Sequence, residues 1–263
     1  MPPVPCTPAL DFLLTRRSRP ARTLAPPVPD REEVMRLLLA AARVPDHGKL
    51  EPWRFLVLTR PATDRLAALV EARGRALGVD PDKVAKAASQ YGMADLAVVV
   101  VQVPRPTDKV PLIEQAYSAG AVCLGLLNAA TAAGWGANWL TGWPAYDEEF
   151  RRDGLGLAGG ETVAGVIHVG TPTAEVPDRP RPDVPGLTTC VDALSSGPSP
   201  WPLARSATPP FGACSAAACS SPSSRSAPRP PSWCGARASS CPTASRCPGW
   251  ARWPGSTTPW AGP

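Results

Sequence analysis

The stretch "SAGAVCLGLLNAATAAGWGANWLTG" (residues 118–142) decides how the rest of the chain is read. Together with the residues that precede it from 112, its first part is apolar, rich in small residues and almost free of charge. That pattern predicts one long helix over residues 112–133, buried all round in a core or against another subunit. Glycine 134 follows, and "ANWLT" (residues 137–141) reads as a strand. The glycines at 134, 136 and 142 let backbone approach a ligand closely, and Trp135, Trp139 and Trp143 supply flat apolar area. The plainer alternative is a helix end followed by a strand. The order of elements excludes one fold outright. A dinucleotide-binding glycine fingerprint follows a strand and opens a helix, whereas "GWGANW" follows a helix and opens a strand, so this is not a Rossmann domain.

Working outward, "LAVVVVQV" (residues 96–103) is nearly all apolar and predicts a central strand buried on both faces. "RFLVLT" (residues 54–59) and "TVAGVIHVG" (residues 162–170) bring the predicted strands to four. Residues 62–78 and 81–91 read as helices, each led by Thr or Asp. Near the start, Thr7-Pro8 reads as a cap and first-turn proline for a helix running through Leu10, Leu13 and Leu14 to "TRRSR". "PPVP" (residues 26–29) is an extended connector. Asp30 and Glu33 have the spacing of a capping arrangement. The helix after them places Val34, Leu37, Leu38 and Ala41 on one face and stops before Pro45. Helices and strands are mixed, which makes residues 1–189 one α+β domain.

The composition breaks near residue 190. Residues 190–263 hold six Arg, one acid (Asp192) and six of the eight cysteines, with no Lys, His, Ile, Met, Asn, Gln or Tyr. Residues 1–189 therefore carry 21 basic and 21 acidic side chains, and the whole formal charge of +5 belongs to the tail. A neutral body argues against nucleic acid as a partner. No apolar run is long enough to span a membrane, and "MPPVPCTPALDF" is no secretory signal, so the expected compartment is the cytoplasm. Only Cys6 and Cys123 lie outside the tail, which suits a reducing environment. The tail has too few aliphatic anchors for a core and is expected to be a disordered, low-complexity segment.

Three groups could carry chemistry. Arg16, Arg17 and Ser18, in "RRSR" at a helix end, could hold a phosphate through forked charged donors and a hydroxyl. They could equally be a cationic terminus that offsets the helix dipole. In "VPDHGKLEPWRF" (residues 44–55), Arg43 and His47 lie one helical turn apart and could face one ligand, or the turn could serve the backbone through Asp46 and Gly48. The third group is the glycine- and tryptophan-rich stretch already quoted. No metal constellation, phosphate-binding loop or nucleophile elbow is present in the sequence.

Taken together, "RRS", then "R-x-P-D-H", "PW-x-F", the quoted helix and strand, and "GTP" (residues 170–172) resemble the FMN-dependent nitroreductase family, in particular its small NAD(P)H nitroreductase subgroup. The resemblance covers residues 8–189. It implies a central, mostly antiparallel sheet flanked by helices, in an intertwined homodimer with one FMN in each of two interface pockets. It also implies that Arg16, Arg17 and Ser18 bind FMN from one subunit, with Trp139, Leu140 and Thr141 lining the cofactor, and that Arg43 and His47 reach it from the other. Ala129, Ala130, Thr131, Ala132, Ala133 and Gly134 would lie along the nicotinamide nucleotide. The implied activity is ping-pong hydride transfer from NAD(P)H through FMN to nitroaromatic, quinone-like or related small acceptors, with no obligatory catalytic side chain. Arg22 is a further candidate for the flavin site. Two departures stand out: Glu51 occupies a position often held by Gln, and Asp95 one often held by Pro. The alternatives are a non-catalytic flavin-binding sensor or carrier, and an inactive frameshifted product. The last arises because the tail has the composition of out-of-frame GC-rich translation. A one-base shift through GC-rich codons for residues 190–195 reads Ala-Trp-Thr-Pro-stop, close to where subgroup members end.

Overall fold

The structure is a computed structural model that describes residues 6–189. The chain divides into two units, Met1–Gly186 and Leu187–Pro263. The expected disordered tail, residues 190–263, lies outside the described residues.

The first helix, α1 (Thr7–Thr15), takes Cys6 as its cap, so Thr7 and Pro8 both sit inside the first turn and no side chain caps the end. A two-residue strand, β1 (Leu24–Ala25), leads to α2 (Arg31–Ala41), where the Glu33 N–H donates to Asp30 Oδ1 at 2.9 Å. As the periodicity requires, α2 buries Val34, Leu37, Leu38 and Ala41. Then come β2 (Trp53–Thr59), α3 (Arg60–Ala76) and α4 (Pro81–Gly92), the last capped by Asp80, which accepts from Asp82 and Lys83 N–H. The order closes with β3 (Leu96–Gln102), α5 (Leu112–Ala132), β4 (Gly136–Leu140) and β5 (Thr162–Pro172).

Every strand pairing is antiparallel: β2 with β3, β3 with β5, and β5 also with β4 and β1. Sequence reading expected four strands; β1 is the fifth and is too short to leave a periodic signal. The run of valines in β3 is explained by what lies on either side of it. Ala97, Val99 and Val101 pack with Leu66, Val70, Tyr91 and Phe150 on the face covered by α3 and α4. Leu96, Val98 and Val100 pack with residues of α2 and α5 on the other. The sheet thus separates two apolar layers, and each valine is sealed whichever way it points.

Helix α5, expected to be buried in a core or against another subunit, is buried along one side in the single chain. Val122, Cys123, Leu126 and Leu127 face the core, but Leu112, Ile113, Tyr117 and Leu124 are exposed. The inner side is tight: a Cβ at Gly125 would come within 2.9 Å of the Ala41 carbonyl oxygen, so only glycine lets α2 and α5 approach this closely. Two bidentate ion pairs brace the periphery. Arg54 holds Glu161 at 2.6 and 2.7 Å, and Arg73 holds Asp147 at 2.9 and 3.0 Å while also pairing with Glu149. Among the described residues no helix is long and apolar enough to cross a membrane.

Candidate functional site

The cationic corner forms where the chain leaves α1. Helix α1 ends because Arg16 is extended, and the segment then runs alongside β4, with Arg19 N–H donating to the Ala137 carbonyl at 2.9 Å. That bond brings the "RRS" segment and the glycine-tryptophan stretch, remote in sequence, to one place. Arg16 Nη2 donates to Ser18 Oγ at 2.9 Å, so the two polar groups form one unit. The Arg16 Nε is buried and has no hydrogen-bond partner. Burial, then the charges of Arg181 and Arg17, push the Arg16 guanidinium below its ordinary pKa. A cation crowded by cations, with a buried donor unspent, is a site that an anion would complete. Arg181 is the member the sequence reading missed. It lies in a Pro- and Arg-rich stretch without periodicity, and it bonds Asp178 at 2.7 Å. Arg17 donates to the Pro177 carbonyl at 3.2 Å, which draws the same stretch toward the corner.

On β4, Trp139 is partly exposed, with Leu140 half-buried and Thr141 exposed beyond it. The indole lies against β5 over Gly165; a Cβ there would collide with Trp139 Nε1. Gly165 also sits at a register shift, where Val100 pairs with Gly165 but Val101 pairs with Val163. The bulge and the missing side chain together seat the ring.

The histidine turn is a separate feature. Residues His47–Lys49 form a single 3₁₀ turn in which Gly48 has φ 76° and Lys49 φ 52°, and Glu51 just beyond it has φ 48°. Two non-glycine residues in the left-handed region cost about 1–2 kcal/mol each. Asp46 offsets part of that cost by accepting the Glu51 N–H at 2.8 Å. The turn is tied to α5 through Ser118 Oγ, which donates to the Pro45 carbonyl at 2.7 Å, and His47 Nδ1 lies 2.7 Å from Glu114 Oε2. Arg43 is exposed at the end of the preceding segment. His47, Glu114, Tyr117 and Ser118 line an open groove with Pro45 and Ala121. Asp95, the other departure noted in the sequence, bonds Arg60 at 3.4 Å.

The stretch from Ala129 to Gly134 straddles the end of α5. Ala130 is fully enclosed in the core, and Thr131 spends its hydroxyl on the Leu127 carbonyl at 2.7 Å. Ala132, Ala133 and Gly134 are exposed. Ala129, Ala132 and Ala133 share a groove with Arg36, Leu37 and Trp135. The second histidine, His168, is buried on β5, and burial draws its pKa down to about 4, so it stays neutral near pH 7. Among the described residues no group of three His, Cys, Asp or Glu is placed to hold a metal ion.

Comparison with known proteins decides the kinship. The model of the family described as "Nitroreductase family" matches residues 13–171. The chain belongs to the nitroreductase family. Within it, the chain is 34% identical over 164 residues to the Escherichia coli protein named "Putative NAD(P)H nitroreductase YdjA", covering 62% of this chain and 88% of that one. It is also 34% identical over 165 residues to a Haemophilus influenzae protein named "Putative NAD(P)H nitroreductase". Among solved structures, a "Nitroreductase-like Family Protein" from Bacillus cereus superposes with a TM-score of 0.61 at 19% identity, covering 73% of this chain and all of the other. A Desulfovibrio desulfuricans structure described as a "putative nitroreductase in complex with fmn" superposes with a TM-score of 0.54 at 23% identity, over 67% and 93% of the two chains. Both share the nitroreductase fold: helices on a central antiparallel sheet.

Proposed function

We propose that this nitroreductase-family chain is an FMN-dependent oxidoreductase that uses NAD(P)H to reduce nitroaromatic, quinone-like or related small acceptors. The observation that carries this reading is the cationic corner. Arg16 has a buried, unpartnered Nε, holds Ser18 at 2.9 Å and is flanked by Arg17 and Arg181, so it wants an anion, and a flavin phosphate fits that chemistry. Two further findings support it: the names of the 34% identical relatives, and the flavin bound to the Desulfovibrio neighbour.

In this reading Arg16, Arg17 and Ser18 bind the phosphate end of FMN, and Trp139, Leu140 and Thr141 line the cofactor beside them. Bound there, FMN would supply the two-electron relay between NAD(P)H and the acceptor. Trp139, seated over Gly165, contributes a rigid apolar wall that orients the ring system and limits water. Ala132, Ala133 and Gly134 are the proposed nicotinamide-nucleotide contacts. Ala130, enclosed in the core, contributes packing only.

Two chains complete the site. Leu10, Leu13 and Leu14 of α1 and Ile113, Tyr117 and Leu124 of α5 are all exposed in the single chain. Covering such side chains is worth about 1.5–3 kcal/mol for each one fully buried. A second copy packed on these faces would bring its own Arg43 and His47 to the flavin, which explains why the histidine turn stands apart from the cationic corner.

The test is to reconstitute the purified protein with FMN and follow the flavin absorbance anaerobically. Bleaching by NADH or NADPH, followed by recovery on adding a nitroaromatic or a quinone, is the expected result. Protein that binds no flavin refutes the reading. Protein that stays yellow with both nicotinamides is a flavin binder without turnover.

A further inference from the structure

The histidine turn carries an acidic partner that the flavin-site motifs do not include. Glu114, in the first turn of α5, places Oε2 2.7 Å from His47 Nδ1. Other groups already hold the surrounding backbone. Ser118 Oγ donates to the Pro45 carbonyl, and Asp46 accepts the Glu51 N–H. The Gln115 side chain accepts from Arg105 N–H at 2.7 Å and donates to the Arg105 carbonyl at 2.9 Å, fixing the start of α5 against the loop before it. Glu114 is therefore not needed to place the turn. His47 and Glu114 are 61% and 43% exposed, so as an ion pair they add little to stability. What the contact does control is the imidazole itself. A carboxylate accepts only, so at 2.7 Å the proton of a neutral ring must sit on Nδ1. Nε2 is then left with its lone pair, and the plane of the ring is fixed.

We propose that Glu114 is the positioning residue for His47: it holds the neutral ring in the Nδ1–H tautomer and presents Nε2 as a hydrogen-bond acceptor to a hydroxyl or N–H donor of the ligand. This rests on the reading of His47 as a flavin-site contact, and it adds a residue and a tautomer to it. A carboxylate that orients a histidine for its neighbour is a general device. The groove that His47 and Glu114 share with Tyr117 and Ser118 is where its effect is felt.

The chain has two histidines, which makes a direct test possible. With ¹⁵N-labelled histidine and no flavin added, long-range ¹H–¹⁵N spectra in mildly alkaline buffer report the tautomer of each ring, and a His47→Ala spectrum assigns the signals. The expected result is Nδ1–H at His47 in the wild type. Glu114→Ala should return it to Nε2–H, the form favoured in water, with no change in Tm. FMN affinity, read by fluorescence titration, should fall roughly three- to tenfold in Glu114→Ala. Glu114→Gln, whose carbonyl can still accept from Nδ1–H, should recover most of that loss. An Nε2–H signal at His47 in the wild type, or a tautomer unchanged by Glu114→Ala, overturns the proposal whether or not flavin binds. By contrast, an Nδ1–H tautomer together with FMN affinity unchanged in His47→Ala would overturn the placing of His47 at the flavin.

Discussion

The cationic corner and the histidine turn are built in opposite ways. The corner is held by main-chain pairing and burial: Arg19 on Ala137, Trp139 over Gly165, and Arg16 with an unspent buried donor. Its geometry is set before any ligand arrives, and what it lacks is a negative charge. The turn is held by side-chain bonds to α5, strained at Lys49 and Glu51, and its own functional groups face solvent. What it lacks is a surface to work against. In the proposed reading the two are half-sites of complementary need, and packing two copies would supply each with its missing half.

The cationic corner offers the strongest test. Arg16→Ala should weaken FMN binding by about 1.5–3 kcal/mol, the scale of a hydrogen bond to a charged group. Fluorescence titration reads this directly, and unchanged affinity would mean that the unspent donor serves no ligand.

Next in size is the seat of Trp139. Gly165→Ala puts a methyl group into the indole, and overpacking of this kind costs about 1–3 kcal/mol. Thermal unfolding should register the strain, and FMN affinity should fall with it because the ring must move. A loss of stability with flavin binding intact would separate Trp139 from the site.

The division between half-sites can be tested by mixing. Arg16→Ala and His47→Ala chains, allowed to exchange, should leave about a quarter of all sites intact, since half of randomly formed dimers are mixed and one of the two sites in each mixed dimer is complete. Recovery of FMN binding on mixing is the readout. No recovery, when exchange is shown by mass spectrometry, would place Arg16 and His47 in the same chain's site.

A smaller effect concerns the periphery. Asp147 is held below the usual carboxylate range chiefly by its hydrogen bond to Arg73, and Glu161 by its bond to Arg54. A depressed folded-state pKa gives stability that is complete above the unfolded value and is lost as pH falls through the folded one. Acid should therefore destabilise the protein below about pH 4, where unfolded carboxylates begin to protonate. Asp147→Asn should flatten that acid limb in a Tm-against-pH series without altering the half-sites.

Much of this was legible in the sequence, for identifiable reasons. The valine run of β3 and the face of α2 follow from period and burial, and both appear as read. The helix-then-strand order of residues 118–142 by itself excludes a Rossmann domain. What stayed hidden had no local signal. β1 is two residues long; Arg181 reaches the corner only through tertiary packing; and Glu114 looks like an ordinary first-turn acid until the fold brings His47 to it. Composition does not separate the face of α5 that the single chain buries from the face it leaves exposed. Val122 and Tyr117 read alike in sequence, yet one is sealed and the other open in the single chain.

In the proposed reading the flavin is held between two copies of this chain. Light scattering on the FMN-reconstituted protein, with flavin absorbance recorded across the same peak, tests it most directly. The expected result is a dimer carrying one FMN per chain. A monomer that retains FMN would contradict it.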